Sequence, residues 1–143
     1  MPQRSIELRN YMVKHPVTVT PESTIFEASH KILEYKISGV CVVDKDNNLV
    51  GMLSELDCLR AIVARVYEQG LSDAGTVAEV MTHNVEVNHP HDQITDVASS
   101  MLDHKHRRRP VVINGKLVGQ VTCRQILKAI KDFASPVDSS EPN

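Results

Sequence analysis

Ile37-Ser-Gly-Val-Cys-Val-Val-Asp44, then, after a polar turn, Leu49-Val-Gly-Met-Leu-Ser-Glu-Leu-Asp-Cys-Leu-Arg60, is the stretch that decides the fold. Val40–Val43 is an unbroken apolar run of the kind buried strands show. Asp44-Lys-Asp-Asn-Asn48 reads as a turn, and Leu49–Leu53 as the returning strand of a hairpin. Ser54 stands where that strand gives way to a helix carrying Leu56, Leu59, Ile62 and Val63. Upstream, Val17–Val19 reads as a short strand. Pro21-Glu-Ser-Thr24 offers N-caps for a helix with Ile25, Ala28, Ile32 and Leu33 on one face, and Gly39 breaks the pattern.

The same order recurs downstream. Val85–Val87 is an expected strand. Asp92 or Thr95 begins a helix with Ile94, Val97, Met101 and Leu102. Val111–Ile113 and Leu117–Val121 flank Asn114-Gly115, a strong hairpin signal, and Thr122 caps a helix with Ile126, Leu127 and Ile130. Met12 matches Met81, Ile25 matches Ile94, Leu33 matches Leu102, and Val42-Val43 matches Val111-Val112, always at an offset of 69. Past the shorter second turn, Gly51, Ser54 and Leu59 match Gly119, Thr122 and Leu127 at an offset of 68. A β-α-β-β-α unit of this size buries too little surface to stand alone, whereas two copies can share a core. The fold class is therefore α/β (α+β), as tandem repeats with pseudo-two-fold symmetry. The expected division is 1–68 and 69–134, joined through the polar Val66–Thr76 segment, with a disordered tail over 135–143.

The 143 residues are 41% hydrophobic and 24% charged, an ordinary globular composition. No apolar stretch approaches the roughly 20 residues of a membrane span, and Met1–Asn10 lacks the apolar core of a signal peptide, so a cytoplasmic location is expected. A net charge of −2 gives no global basic field for nucleic acid. Cys41, Cys58 and Cys123 are odd in number and far apart; they read as small buried hydrophobes rather than disulfides or zinc ligands. His89-Pro-His91 and His104-Lys-His106 have a spacing a metal could use, but no carboxylate or cysteine framework supports them, so they read as surface histidines. No arrangement of residues suggests nucleophilic or acid–base catalysis, and an enzyme is not expected.

The quoted stretch, its second copy from Val80-Met81 through Leu127, and the opening Met12…Pro16-Val-Thr-Val-Thr-Pro21 segment together resemble the cystathionine-β-synthase (CBS) domain family, as a stand-alone pair or Bateman module. The resemblance implies a non-enzymatic sensor, forming a homodimer, that binds an adenine nucleotide or adenosyl compound (AMP first, or ADP or ATP) in the cleft between the copies. The signal would then pass to a separate effector protein.

From the residues alone, Ser54-x-x-Asp57 at a helix start reads as a capping arrangement, and free N–H groups there also favour an anion. The resemblance instead gives Asp57 the ribose hydroxyls and Ser54 a place beside the ligand. The second copy keeps the hydroxyl, Thr122, but has Gln125 where the first has Asp57, so one nucleotide per chain is expected. The basic run His104–Arg109 reads by itself as a solvated loop. In the repeat, however, Arg107 and Arg108 occupy the places of Ser38 and Gly39, where the resemblance implies phosphate binding; Ser38-Gly39 would leave room for the base. Arg109 takes an apolar family position and is expected to face solvent. The resemblance points to Met12, Val17, Ile37 and Val40 for the base, although Val17 and Val40 also suit a core. The alternatives are a ligand-free dimeric scaffold and, through the basic run, a nucleic-acid binder. The acidic balance and the 3% of aromatic residues argue against the latter.

Overall fold

The computed structural model of the protein describes residues 6–134, so the tail expected over 135–143 lies outside the described residues. The elements are β1 (Val13–Lys14), β2 (Thr18–Val19), α1 (Ile25–Glu34), β3 (Gly39–Val43), β4 (Leu49–Ser54), α2 (Glu55–Ile62), α3 (Val77–Val80), α4 (Ile94–His104), β5 (Arg108–Ile113), β6 (Lys116–Thr122) and α5 (Cys123–Ala134). A 3-10 turn covers Leu8–Asn10, and a π-helical stretch, Val63–Glu68, extends α2 into the segment read as a polar join.

The chain forms two compact units whose boundaries cross the repeats. Among the described residues, the first-repeat unit comprises Pro16–Val85 with Asn114–Leu117, and the second-repeat unit comprises residues 6–15, Glu86–Ile113 and residues 118–134. The short segment before each repeat thus packs with the other repeat. In the first-repeat unit β2 lies parallel to β3, which lies antiparallel to β4, and Thr82 bridges to Met52 of β4. In the second-repeat unit the sheet order is β1-β6-β5, with Val13 opposite Gln120.

A missing side chain permits each exchange. A Cβ on Gly51 would lie 2.6 Å from Met81 Sδ and 2.8 Å from the Thr82 carbonyl oxygen; on Gly119 it would lie 2.6 Å from Met12 Sδ and 2.9 Å from the Val13 carbonyl oxygen. The Met–Gly pairs noted in the repeat are therefore contacts, made crosswise. Gly51→Ala and Gly119→Ala are each expected to cost about 1–3 kcal/mol through overpacking against backbone. Urea unfolding measures this, and an unchanged midpoint for both variants would show that the methionine segments simply move aside.

Local chemistry starts the helices. Thr24 caps α1 with a capping box: its Oγ1 accepts from Glu27 N–H (3.0 Å), and Glu27 Oε1 accepts from Thr24 N–H (2.8 Å). The α4 start departs from expectation, because Gln93 is its N-cap and contributes no side-chain bond. α4 is capped by Lys105 in the left-handed region (φ 58°), and one residue past the Tyr35 cap of α1 the chain turns at left-handed Lys36 (φ 55°). The Asn114-Gly115 turn has both residues at positive φ, as a type I′ hairpin requires.

Ile25, Ala28 and Ile32 of α1 join Val19, Val40, Val42, Leu53, Cys58 and Ala61 in one buried cluster; Ile94, Val97, Met101, Val111, Val121 and Ile126 form its counterpart. The helix faces differ from the sequence reading. α2 buries its small residues Cys58 and Ala61, while Leu56, Leu59 and Val63 point outward. Leu33, Leu102 and Leu127 are exposed as well. Small residues let α2 sit close to its sheet and to α1, which rotates the leucines away. The Val85–Val87 strand is absent, and pairing there shrinks to one parallel bridge from Asn88 to Val111. The first repeat pairs Thr18 with Cys41, but Cys41's place is taken by Pro110, which has no N–H for the ladder. Cys123 is exposed rather than buried.

Candidate functional site

The first-repeat unit brings Ser38, Gly39, Ser54 and Asp57 to one strand–helix junction. Gly39 is in register with Ser54, and the Glu55 N–H donates to the Ser38 carbonyl (2.9 Å), tying the start of α2 to the end of the loop. The capping reading of Ser54-x-x-Asp57 is realised: Ser54 Oγ accepts from the Asp57 N–H (3.1 Å), and Asp57 Oδ2 accepts from the Ser54 N–H (2.9 Å). Arg60 Nη1 donates to Asp57 Oδ1 (3.3 Å). The Asp57 side chain remains 22% exposed. A carboxylate so held has a fixed orientation and spare lone pairs for a hydroxyl donor. With Glu55 and Asp57 both in the first turn, the start of α2 is an acidic place, suited to sugar hydroxyls rather than to a phosphate.

The matching junction in the second-repeat unit has the same frame and the opposite charge. Cys123 N–H donates to the Arg107 carbonyl (2.9 Å), the counterpart of Glu55 on Ser38. Thr122 and Gln125 form the same reciprocal bonds, Thr122 N–H to Gln125 Oε1 (2.8 Å) and Gln125 N–H to Thr122 Oγ1 (3.2 Å). The first turn of α5 has no acidic residue, Arg107 is exposed, and Arg108 begins β5 half-buried. Here the helix dipole and the arginines favour an anion together.

Of the residues assigned to the base, Val17 and Ile37 pack half-buried against the first-repeat core and Val40 is wholly buried within it, so only the first two offer side-chain surface. Met12 belongs to the second-repeat unit, half-buried against Gly119.

Arg109 overturns its expectation. It does not face solvent: it is 1% exposed, at the position where the first repeat has Val40. Its Nε donates to His106 Nδ1 (2.8 Å), Nη1 to Asn88 Oδ1 (3.1 Å) and Nη2 to Ser100 Oγ (3.0 Å). His106 is therefore not a surface bystander. The repeat held a signal for this. Val19, Ile37 and Val40 of the first copy align with Asn88, His106 and Arg109 of the second, so three core positions change from apolar to polar together. Among the described residues, no three His, Cys, Asp or Glu side chains gather to hold a metal, and no helix is long and apolar enough to cross a membrane.

Comparison with known proteins accords with this architecture. The chain is 29% identical to an uncharacterised protein of Methanocaldococcus jannaschii over 123 residues, 86% of this chain and 42% of that protein. It is 33% identical to inosine-5'-monophosphate dehydrogenase of Staphylococcus aureus over 125 residues, 85% of this chain and 24% of the enzyme, so it spans less than half the length of these curated relatives. Among solved structures, it is similar to CBSX2 of Arabidopsis thaliana in complex with AMP (TM-score 0.80, 25% identity, covering 91% of this chain and 99% of that one). It is also similar to the CBS domain pair of protein MJ0100 in complex with 5'-methylthioadenosine and S-adenosyl-L-methionine (TM-score 0.75, 26% identity, covering 89% and 97%). With the CBS domain family matching residues 8–64 and again 77–132, on the two repeats whose junctions are described above, the chain belongs to the CBS domain family as a tandem pair.

Proposed function

We propose that this chain is a regulatory module that binds an adenine nucleotide or adenosyl compound, AMP in the first instance, and signals to a partner protein. One observation carries the reading: the two repeats share a backbone frame but differ in chemistry at matching positions. Where the first has Val17, Ile37, Ser38 and Gly39, the second has Glu86, His106, Arg107 and Arg108. The first junction offers apolar surface for a base, backbone groups at Ser38 and Gly39 for its edge, and a fixed carboxylate, Asp57, for a ribose. The second has polar side chains at the positions of Val17 and Ile37, and supplies Arg107, Arg108 and Thr122 for a phosphate. One adenosine group per chain is proposed, with Gln125 in place of Asp57 in the second repeat. The AMP and adenosyl ligands of the similar CBS pairs support the ligand class.

A panel of AMP, ADP, ATP, adenosine and S-adenosylmethionine in thermal denaturation tests this. A ligand at 100 times its Kd stabilises by about 2.7 kcal/mol, a shift of several degrees for a chain of this size. No shift with any of the five would favour the ligand-free scaffold. The proposal includes a homodimer, supported by exposed leucines at matching places in both units: Leu33 (76%), Leu59 (58%), Leu102 (77%) and Leu127 (69%). Sedimentation equilibrium returning monomers would remove the dimer.

A further inference from the structure

Arg109 is the one buried charged side chain among the described residues, and no carboxylate is among its hydrogen-bond partners. A buried guanidinium persists only where polar groups satisfy it, and an arginine does not neutralise itself by losing its proton. Its three shortest hydrogen bonds go to Asn88 on the segment beside β5, Ser100 within α4, and His106 on the loop between α4 and β5, and a longer contact (3.4 Å) reaches His104 Nδ1. The histidine chemistry is determined by these bonds. His106 Nδ1 accepts from Arg109 Nε, so it carries no proton, and the ring is neutral with its hydrogen on Nε2. His104 Nδ1 lies between an acceptor and a donor, 2.8 Å from the Ser100 carbonyl oxygen and 3.4 Å from Arg109 Nη2. The two rings sit 5.2 Å apart between centroids.

The loop these bonds hold is the one that carries Arg107 and Arg108. It leaves α4 through left-handed Lys105, is pinned by the His106 N–H on the Met101 carbonyl (2.9 Å), and enters β5 at Arg108, next to Arg109. Protonating His106 would turn its Nδ1 into a donor facing the donor Nε–H, and would set a second positive charge beside a guanidinium that keeps its own. The charged and titratable groups around the ring are Arg109 from β5, His104 from α4, Glu86 from the segment before Asn88, and the chain neighbours Lys105 and Arg107. Burial, then Arg109, then His104 hold His106 below the usual histidine range, while Glu86 opposes them. Because the folded value lies below the unfolded one, the stability this bond supplies is full above about pH 6.5 and is lost as pH falls through the folded value.

We propose that Arg109 is a positioning residue for phosphate recognition: bonded to neutral His106, it braces the 104–108 loop that presents Arg107 and Arg108, and protonation of His106 releases the brace. This rests on the nucleotide reading above.

The test is calorimetric AMP affinity of the full chain from pH 7.5 to 5.5, for the wild type and for His106→Asn. An asparagine Oδ1 can replace the Nδ1 acceptor but takes up no proton. AMP's own phosphate gains a proton near pH ~6, so the quantity read is the wild-type to variant affinity ratio. The ratio should be near one at pH 7.5 and fall by about ten-fold by the pH at which nitrogen NMR of the wild type shows His106 Nδ1 protonated, the equivalent of one lost charge-assisted bond. A flat ratio would overturn the proposal and leave nucleotide binding standing. If AMP binds at no pH, the nucleotide reading fails and the positioning role with it. A measurement on the wild type alone guards against a variant that does not fold: nitrogen NMR at pH 7.5 should show His106 Nδ1 without a proton, and a proton there would overturn the brace.

Discussion

Asp57→Ala is expected to weaken AMP binding by about ten-fold or more, because a charged acceptor of ribose hydroxyls contributes about 1.5–3 kcal/mol and each 1.4 kcal/mol is a factor of ten. The same carboxylate also closes the capping box on Ser54, and its loss should cost a further ~1 kcal/mol of folding stability. The two effects separate by measurement. Calorimetry reads the ligand, and thermal denaturation of the free chain reads the cap. Asp57→Asn keeps an acceptor for the Ser54 N–H but removes the charge, so it should retain most of the stability while still losing affinity. An unchanged Kd for Asp57→Ala beside a lowered Tm would leave the residue as a cap and remove it from the ribose.

Replacing Arg107 and Arg108 together with alanine is expected to abolish the preference for AMP over adenosine. Each guanidinium–phosphate contact contributes about 1.5–3 kcal/mol when well formed. Arg107 is exposed and therefore screened, so the lower end applies, giving about 100-fold for the pair. Adenosine, which has no phosphate, should bind the variant as it binds the wild type. The AMP affinity of the wild type should also fall with added salt, and that of the variant should not. Equal losses for AMP and adenosine would mean that the substitutions disturb the loop rather than the recognition of charge. That outcome would return the basic run to its reading as a solvated loop.

The sequence carries the fold well because the repeat is countable. Hairpins, helix starts and the Ser54 and Thr122 junctions recur at fixed offsets, and local chemistry alone produces them. The exception at Val85–Val87 is instructive. Pattern favoured a strand, but Pro110 on the neighbouring strand cannot donate to the ladder, so the failure lay in the partner and not in the segment. The leucine faces depart from the pattern for a similar reason. Periodicity shows that a helix has an apolar stripe, but the small Cys58 and Ala61 decide which side can approach the sheet, leaving Leu56 and Leu59 outside.

The candidate site divides in the same way. Ser54, Asp57, Arg107 and Arg108 are placed by the repeat itself, at junctions whose backbone bonds match between the copies. The crosswise packing of Met12 on Gly119 and Met81 on Gly51 needed the tertiary structure, because an offset shows which residues are equivalent but not which repeat each segment joins. Arg109 needed it most. A lone arginine in a basic run reads as solvent-facing, since burying a charge is costly. Only the folded chain brings Asn88, Ser100 and His106 from separate segments to satisfy it, and that convergence is what turns a loop residue into a buried one. The sequence by itself thus determined the repeated frame and the residues at its two junctions, because those follow from local pattern. Which side chains are buried, and what satisfies them, was decided by contacts between distant segments.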